Sequence, residues 1–517
     1  MKAWIARTAL YTGLALTASG IISTTGAQFA RETALAANPQ VDRIFALWDK
    51  PDSPGCALAV SKAGNIVYKR GYGMADLEHK IPITPRTVFH AASLAKQFTA
   101  MSIMLLVEQH QLSLDDDVHN YIKTELPNLG TPITVRQMLQ HISGIRDQWT
   151  FMTMAGWRMY DDVISRDDVL YFVRRMTTLN FPPGEQHLYS NTGYTLAGLI
   201  VERLSRQSLA DFASSKIFEP LGMKHTVFTD NHWQIVHDRA YGYTSTYPFF
   251  ELRMPNYDLT GATNLLTTVE DLVRWDRNFD YKTVGGDDAL SQMQTRAHLS
   301  DGTPVDYGFG LMLPTYRSRN VVEHAGLDAG YRAHLMRFPD QHFAVAILCN
   351  VALPDDTAPR VLARRVADVY LRDYLRDEPA SVTPENHVPS PSDPPQASGP
   401  PATPQRFAEY TGRYYNDEIE ATYEIKLDGP SVAIYRHKYP PTHLDPTFAD
   451  TFKMTNFSPV VRSGSVHFTR DGQGKINGFL FDGDRIRNFP FTKLPERDRW
   501  SPSAMITIIS RELMAGQ

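Results

Sequence analysis

Residues 90–103 read HAASLAKQFTAMSI. Ser93 and Lys96 stand three apart at the start of a run whose apolar residues predict a helix over 93–110, so their side chains fall one turn apart on one face. A lysine beside a serine can be a surface feature or the base of an activated nucleophile, because a neutral hydroxyl attacks poorly without one. The neighbours Ala91, Ala92, Leu94, Ala95 and Phe98 are small and apolar, and burial or nearby positive charge would lower the lysine's pKa. Near a helix start the Ser93 N–H is also free to donate to an oxyanion. Serine-x-x-lysine alone is common by chance, and the rest of the chain has to choose.

The chain has 517 residues, 42% hydrophobic and 21% charged, which suits two or three domains with real cores. A net charge of −5 lacks the basic face that phosphate neutralisation needs and argues against a nucleic-acid partner. Lys2 and Arg7 precede an uncharged run over 8–30, and small residues follow at 25–27 and 34–36. That order reads as a secretory signal over 1–36, with a secreted or periplasmic product. A retained membrane anchor is the weaker alternative, because Thr, Ser and Gly dilute the run. Cys56 and Cys349 show no zinc spacing and read first as buried free thiols.

SVTPENHVPSPSDPPQASGPPATP, residues 381–404, is too proline-dense for helix or strand, and a linker over 379–404 is expected. It separates a body over 39–378 from a module over 405–495, with a tail over 496–517. The body opens with CALAVSKAGNIVYKRGYGMAD, two β-rich runs around the turn Ala63-Gly64-Asn65. A helical middle follows, including 191–205. VEHAGLDAGYRAHLMRFPDQHFAVAILCN, residues 322–350, returns to strands with a turn at Pro339-Asp340-Gln341, and 357–377 has helical periodicity. The fold class is α/β (α+β): one antiparallel sheet built from both ends of the body and covered by helices. In the module, alternating runs and Asp-Gly turns predict a small antiparallel barrel.

No G-x-S-x-G, HExxH, Walker or GxGxxG pattern occurs, which removes the commonest hydrolase, metalloprotease and nucleotide readings; neither cofactor nor metal is expected. Two further stretches carry chemistry. FPPGEQHLYSNTGYTLAGLIVERL, residues 181–204, sets Tyr189-Ser190-Asn191 before an apolar helix. Tyr189 can shuttle protons and Asn191 can meet an amide, although Ser190 or Asn191 can equally be a helix cap. VVEHAGLDAGY, residues 321–331, sets His324 and Gly326 on a strand. Gly326 would let a substrate backbone approach, and His324 could place a donor and partial positive charge over the site.

Taken in order, S-x-x-K, Y-S-N and H-x-G resemble the motif set of the β-lactamase-related serine hydrolases, the S12-type superfamily of class C β-lactamases, D-alanyl-D-alanine peptidases and D-aminopeptidases. TPITVRQMLQHISGI (131–145) and NLLTTVEDLVRWDRN (264–278) are similar to its helices, and the likeness covers nearly all of 39–375. It implies an all-helical subdomain beside the sheet, Ser93 as acylated nucleophile, Lys96 as proton acceptor, Tyr189 as general base and acid, and Asn191 orienting Lys96 and the substrate amide. His324 and Gly326 match the third motif, and the N–H groups of Ser93 and Leu327 match the oxyanion hole. Many members carry lysine where His324 stands. This favours the aminopeptidase, amidase and esterase relatives, and implies activity that varies near neutral pH if His324 titrates. The resemblance also sets the first and last strands side by side, which leaves a Cys56–Cys349 disulfide open.

The module is similar to lipocalin-like barrels attached to some members. It is an accessory domain or a lid whose Tyr414, Tyr415 and Tyr435 could narrow the cleft. The expected function is a secreted hydrolase of amides or esters of small peptides or D-amino-acid derivatives. The alternatives are a carboxylesterase or weak class C-type β-lactamase and, in another class, a penicillin-binding sensor or inactive scaffold. Small-molecule, peptide or ester substrates are the expected partners, with a homo-oligomer open.

Overall fold

A computed structural model describes residues 37–246, 249–352, 357–376 and 401–495. The expected signal over 1–36, most of the linker over 379–404 and the tail over 496–517 lie outside the described residues.

The body is organised on one five-stranded antiparallel sheet. Its strands are β1 (Cys56–Lys62), β2 (Asn65–Tyr72), β3 (Val322–Asp328), β4 (Tyr331–Phe338) and β5 (Phe343–Cys349), in the order β3-β4-β5-β1-β2. The expected hairpin turns at Ala63 and Gly64, both at positive φ. Pro339–Gln341 forms one 3-10 turn between β4 and β5.

Alternation decides what each face meets. Leu58, Val60, Val345 and Ile347 pack into one core with Phe45 of helix α1 (Pro39–Phe45) and with Leu362 and Val366 of the last body helix, Pro359–Tyr370. Ala57, Ala59, Ala346 and Leu348 face the larger core on the other side. In that core lies α2 (Ala95–Glu108), buried nearly all round, as a helix with apolar residues on every side should be. The helical subdomain includes α3 (Gln148–Met154), α4 (Arg166–Val173) and α5 (Asn191–Ser205).

Cys56 pairs in register with Cys349, and the two form a disulfide 293 residues apart in sequence, which corrects the free-thiol reading. Alternation brings both sulfurs to one face, and the two ends of the body are thereby stapled. A crosslink over so long a loop mainly restricts the unfolded chain, with a typical effect of about 3 kcal/mol. The double variant Cys56→Ala/Cys349→Ala should lower the unfolding free energy by that amount, read as a lower urea midpoint. Reduction of the wild type should then reach the same midpoint, and an unchanged midpoint would rule the staple out.

Strands within residues 412–493 close an eight-stranded antiparallel barrel, β6 (Gly412–Asn416), β7 (Ala421–Asp428), β8 (Ser431–Arg436), β9 (Tyr439–Phe448), β10 (Thr451–Thr455), β11 (Ser463–Arg470), β12 (Ile476–Gly483) and β13 (Ile486–Lys493). Closure leaves no exposed edge. The barrel docks on residues 146–180. The Arg146 Nη1 donates to Glu418 Oε2 at 2.8 Å, and both side chains are buried. The hydroxyls of Tyr423 and Tyr439 donate to the carbonyls of Met154 and Trp157 at 2.9 and 2.6 Å.

Candidate active site

Ser93 sits in a short 3-10 turn, Ala92–Leu94, that runs directly into α2. Its neighbour Ala92 has φ +49°, a left-handed backbone that costs a non-glycine residue about 1 kcal/mol or more. Strain of this kind persists only where the surroundings hold it, and here β3 packs against the turn. A Cβ on Gly326 would stand 2.2 Å from the Ala91 carbonyl oxygen. Glycine at 326 thus admits the protein's own backbone at Ala91 rather than, as expected, a substrate's.

Lys96 is fully buried, and its Nζ has three neighbours. Ser93 Oγ lies at 3.2 Å, Asn191 Oδ1 at 2.8 Å and the Ala262 carbonyl at 2.8 Å. Burial is the main force pushing its pKa well below the usual lysine range; the Arg485 charge adds to this, while Asp147 and Asp328 oppose it. Ser190 caps α5 by accepting from Gly193 N, which leaves Asn191 as the first helical residue. Asp147 Oδ2 accepts from both Asn191 N (2.8 Å) and Asn191 Nδ2 (2.7 Å). That pair settles which end of the amide faces Lys96.

Tyr189 lies with its ring 4.9 Å from Lys96 Nζ, and its phenol is near enough to feel the Ser93 hydroxyl. Burial pushes the phenol's pKa up; the Ser93 hydroxyl and the Arg485 charge pull it back. His324 comes within 6.2 Å of Tyr189, ring to ring. β3 is the edge strand, and Glu323 N and O both pair outward with Met312. Strand parity therefore turns the Ala325 and Leu327 N–H groups to the same free side. The structure thus brings Ser93, Lys96, Tyr189, Asn191 and His324 together.

Comparison with known proteins identifies the family. The beta-lactamase family pattern matches residues 41–369, more than half of the chain. The chain belongs to the beta-lactamase family. It is 31% identical over 325 residues to penicillin-binding protein 4* of Bacillus subtilis (strain 168), covering 59% of this chain and 69% of that protein. It is 27% identical over 342 residues to a D-aminopeptidase of Gluconobacter oxydans (strain 621H), covering 66% of this chain. The match spans only 64% of that relative's own length. The solved octameric penicillin-binding protein homologue from Pyrococcus abyssi superposes with a TM-score of 0.56 at 25% identity, over 85% of this chain and 96% of that one. That share reaches past the body into the barrel.

This beta-lactamase-family site includes groups that sequence reading missed. His141 Nδ1 accepts from Ser190 N at 3.1 Å, so its Nε2 carries the proton and donates to the Tyr307 hydroxyl at 3.2 Å. Tyr307 donates onward to His324 Nε2 at 3.0 Å, and His324 Nδ1 donates to the Ala325 carbonyl at 2.7 Å. Asp147 precedes α3 as its N-cap, a signal that was readable but pointed only to a helix start. Arg485 comes from the barrel, between β12 and β13, with its guanidinium 4.8 Å from the Tyr189 ring. Of the three tyrosines offered for the lid alternative, two are engaged within the barrel. Tyr414 is buried, donating to the Tyr410 carbonyl, and Tyr435 lies beneath Lys426.

His324 also departs from expectation. Burial, helped by the Lys96 charge, holds its pKa down at about 3, and both ring nitrogens are engaged. It is neutral at physiological pH and cannot offer a cation. Below pH 6.5 the unfolded chain takes up a proton that the folded imidazole refuses. Stability therefore falls on acidification, by about 1.4 kcal/mol per pH unit until about pH 3. Urea unfolding of the wild type and of His324→Gln from pH 4 to 7 should give slopes differing by that amount. Equal slopes would place the proton on the folded ring.

Proposed function

We propose that the protein is a serine hydrolase that cleaves amide or ester bonds of small peptides or D-amino-acid derivatives through an acyl-enzyme on Ser93. The observation that carries this reading is the set of partners around Lys96. Asn191 Oδ1 and the Ala262 carbonyl can only accept, and both lie at 2.8 Å. A neutral amine satisfies them with its two N–H bonds and turns its lone pair to the Ser93 hydroxyl, while burial favours that neutral form.

In this reading Ser93 Oγ attacks the carbonyl carbon as Lys96 Nζ accepts its proton. The N–H groups of Ser93 and Leu327 hold the oxyanion. Collapse breaks the C–N or C–O bond, and the leaving group takes a proton delivered through Tyr189. Water then attacks the ester, its proton passing back along the same groups, and Ser93 is restored. Gly326 sets β3 close enough to the Ser93 turn for the second N–H to serve.

The D-aminopeptidase relative supports the amide reading and the D-amino-acid class. The 31% identity to penicillin-binding protein 4* supports, as a second reading, acylation by β-lactams with slow release. A panel of p-nitrophenyl esters, D- and L-amino-acid anilides and a chromogenic cephalosporin, run on wild type and Ser93→Ala, tests both. Turnover of an anilide or ester that Ser93→Ala lacks supports the hydrolase. Stable penicillin labelling of Ser93 without turnover favours the sensor.

Export is part of the proposal. The Cys56–Cys349 disulfide suits an oxidising compartment, and no helix among the described residues is long and apolar enough to cross a membrane. Self-association is proposed on the octameric neighbour alone, with light scattering as its test.

A further inference from the structure

We infer that Arg485, carried by the barrel, receives a carboxylate on the leaving-group side of the substrate; this rests on the serine-hydrolase reading above. The turn that presents Arg485 is built, not incidental. Asn180 Nδ2 donates to the Arg485 carbonyl at 3.3 Å, and Asn180 Oδ1 accepts from Arg487 N at 3.0 Å. The body therefore holds the backbone just after Arg485, which fixes where its side chain leaves the turn, beside the Tyr189 ring.

The guanidinium makes one long ion pair, with the buried Asp147, and no hydrogen bond among the described residues. It lies 4.8 Å from the Tyr189 ring centroid and 3.7 Å from Asp147 Oδ2, beyond hydrogen-bond distance. Asp147 Oδ2 is already taken by the two Asn191 donors. Among the described residues no acceptor takes a hydrogen bond from the Arg485 guanidinium, and its side chain is 28% exposed. Five N–H donors in a planar fork, open to the cleft, match a carboxylate.

The surrounding groups do not compete for that role. His141 and His324 are neutral and bonded to Tyr307, and the Lys96 amine is engaged with Ser93, Asn191 and Ala262. Position also assigns the side of the substrate. Tyr189 is the group proposed to protonate the departing atom, and Arg485 stacks over its ring. A carboxylate there belongs to the leaving group, as in a peptide with a free C-terminus.

The test uses 3-acetoxybenzoate and its methyl ester, each rate divided by its uncatalysed hydrolysis. A charge-assisted contact predicts that the wild type prefers the carboxylate by roughly 10- to 100-fold in kcat/KM. Arg485→Gln should bring the ratio to about 1, and Arg485→Lys should leave an intermediate value. The ratio is the readout because loss of Arg485 also alters Lys96 and Tyr189, and both esters feel that change equally. Where turnover is too slow, the same ratio is read from how each ester slows fluorophosphonate labelling. An unchanged ratio in Arg485→Gln, or none in the wild type, with Ser93 still labelled, overturns this inference alone. Absence of labelling and of turnover overturns the hydrolase reading and this inference with it.

Discussion

Lys96→Ala should lower kcat/KM for an activated ester by at least about 10³-fold, with Ser93→Ala as the floor and the double variant no worse than either. The size follows from the site's geometry. The Ser93 hydroxyl has Lys96 Nζ at 3.2 Å as its hydrogen-bonding neighbour, and burial holds the nearby Tyr189 phenol protonated. Without the amine, the Ser93 hydroxyl loses the one base that is hydrogen-bonded to it among the described residues. Non-additivity is the signature of groups acting as one unit. The wild-type rate should also fall as pH drops, because Lys96 protonates, and that acid limb should persist in His324→Gln. Retention of full rate in Lys96→Ala would remove the amine from the mechanism. Circular dichroism of each variant shows whether the rate is read on folded protein.

The second large effect concerns the barrel. Glu418→Ala should cost about 3–5 kcal/mol, the range found when one partner of a buried ion pair is removed. Arg146 and Glu418 are 1% and 4% exposed, and Arg146 Nη2 also donates to Thr178 Oγ1 at 2.6 Å. Arg146 stacks near Phe489 at 4.9 Å, so its charge is enclosed on several sides. Deleting the carboxylate strands that guanidinium. Replacing both residues together, as Arg146→Met/Glu418→Leu, should cost much less, because no charge is left without its partner. Urea unfolding of the three proteins checks this. A loss under about 1 kcal/mol in Glu418→Ala would mean that the pair is effectively hydrated.

Much of the site was legible because its spacing is local. Ser93 and Lys96 are a helix turn apart, and Tyr189 and Asn191 flank a capping serine, so each pair is assembled by its own segment. The sheet was legible for the same reason, through strands of period two at both ends of the body. What could not be read is what tertiary structure alone decides. Asp147, His141 and Tyr307 carry no pattern that separates them from ordinary polar residues. Arg485 stands almost 400 residues from Ser93 and arrives only because the barrel docks. His324 was legible as a third-motif residue, but its neutrality was not, because that comes from burial and from the charge of Lys96 beside it. The sulfurs of Cys56 and Cys349 needed the register of two strands whose residues are 293 apart.

The sheet's wiring also has a temporal meaning. Ribosomes deliver Ser93 and Lys96 early, but β1 has only β2 beside it until residues 343–349 appear, and the edge strand beside Ser93 spans 322–328. Such distant pairing makes assembly slow. A nascent chain of 300 residues would hold its nucleophile without the wall that completes it. The candidate site is therefore complete only once about two-thirds of the 517 residues have been made, and its arginine from the barrel comes later still.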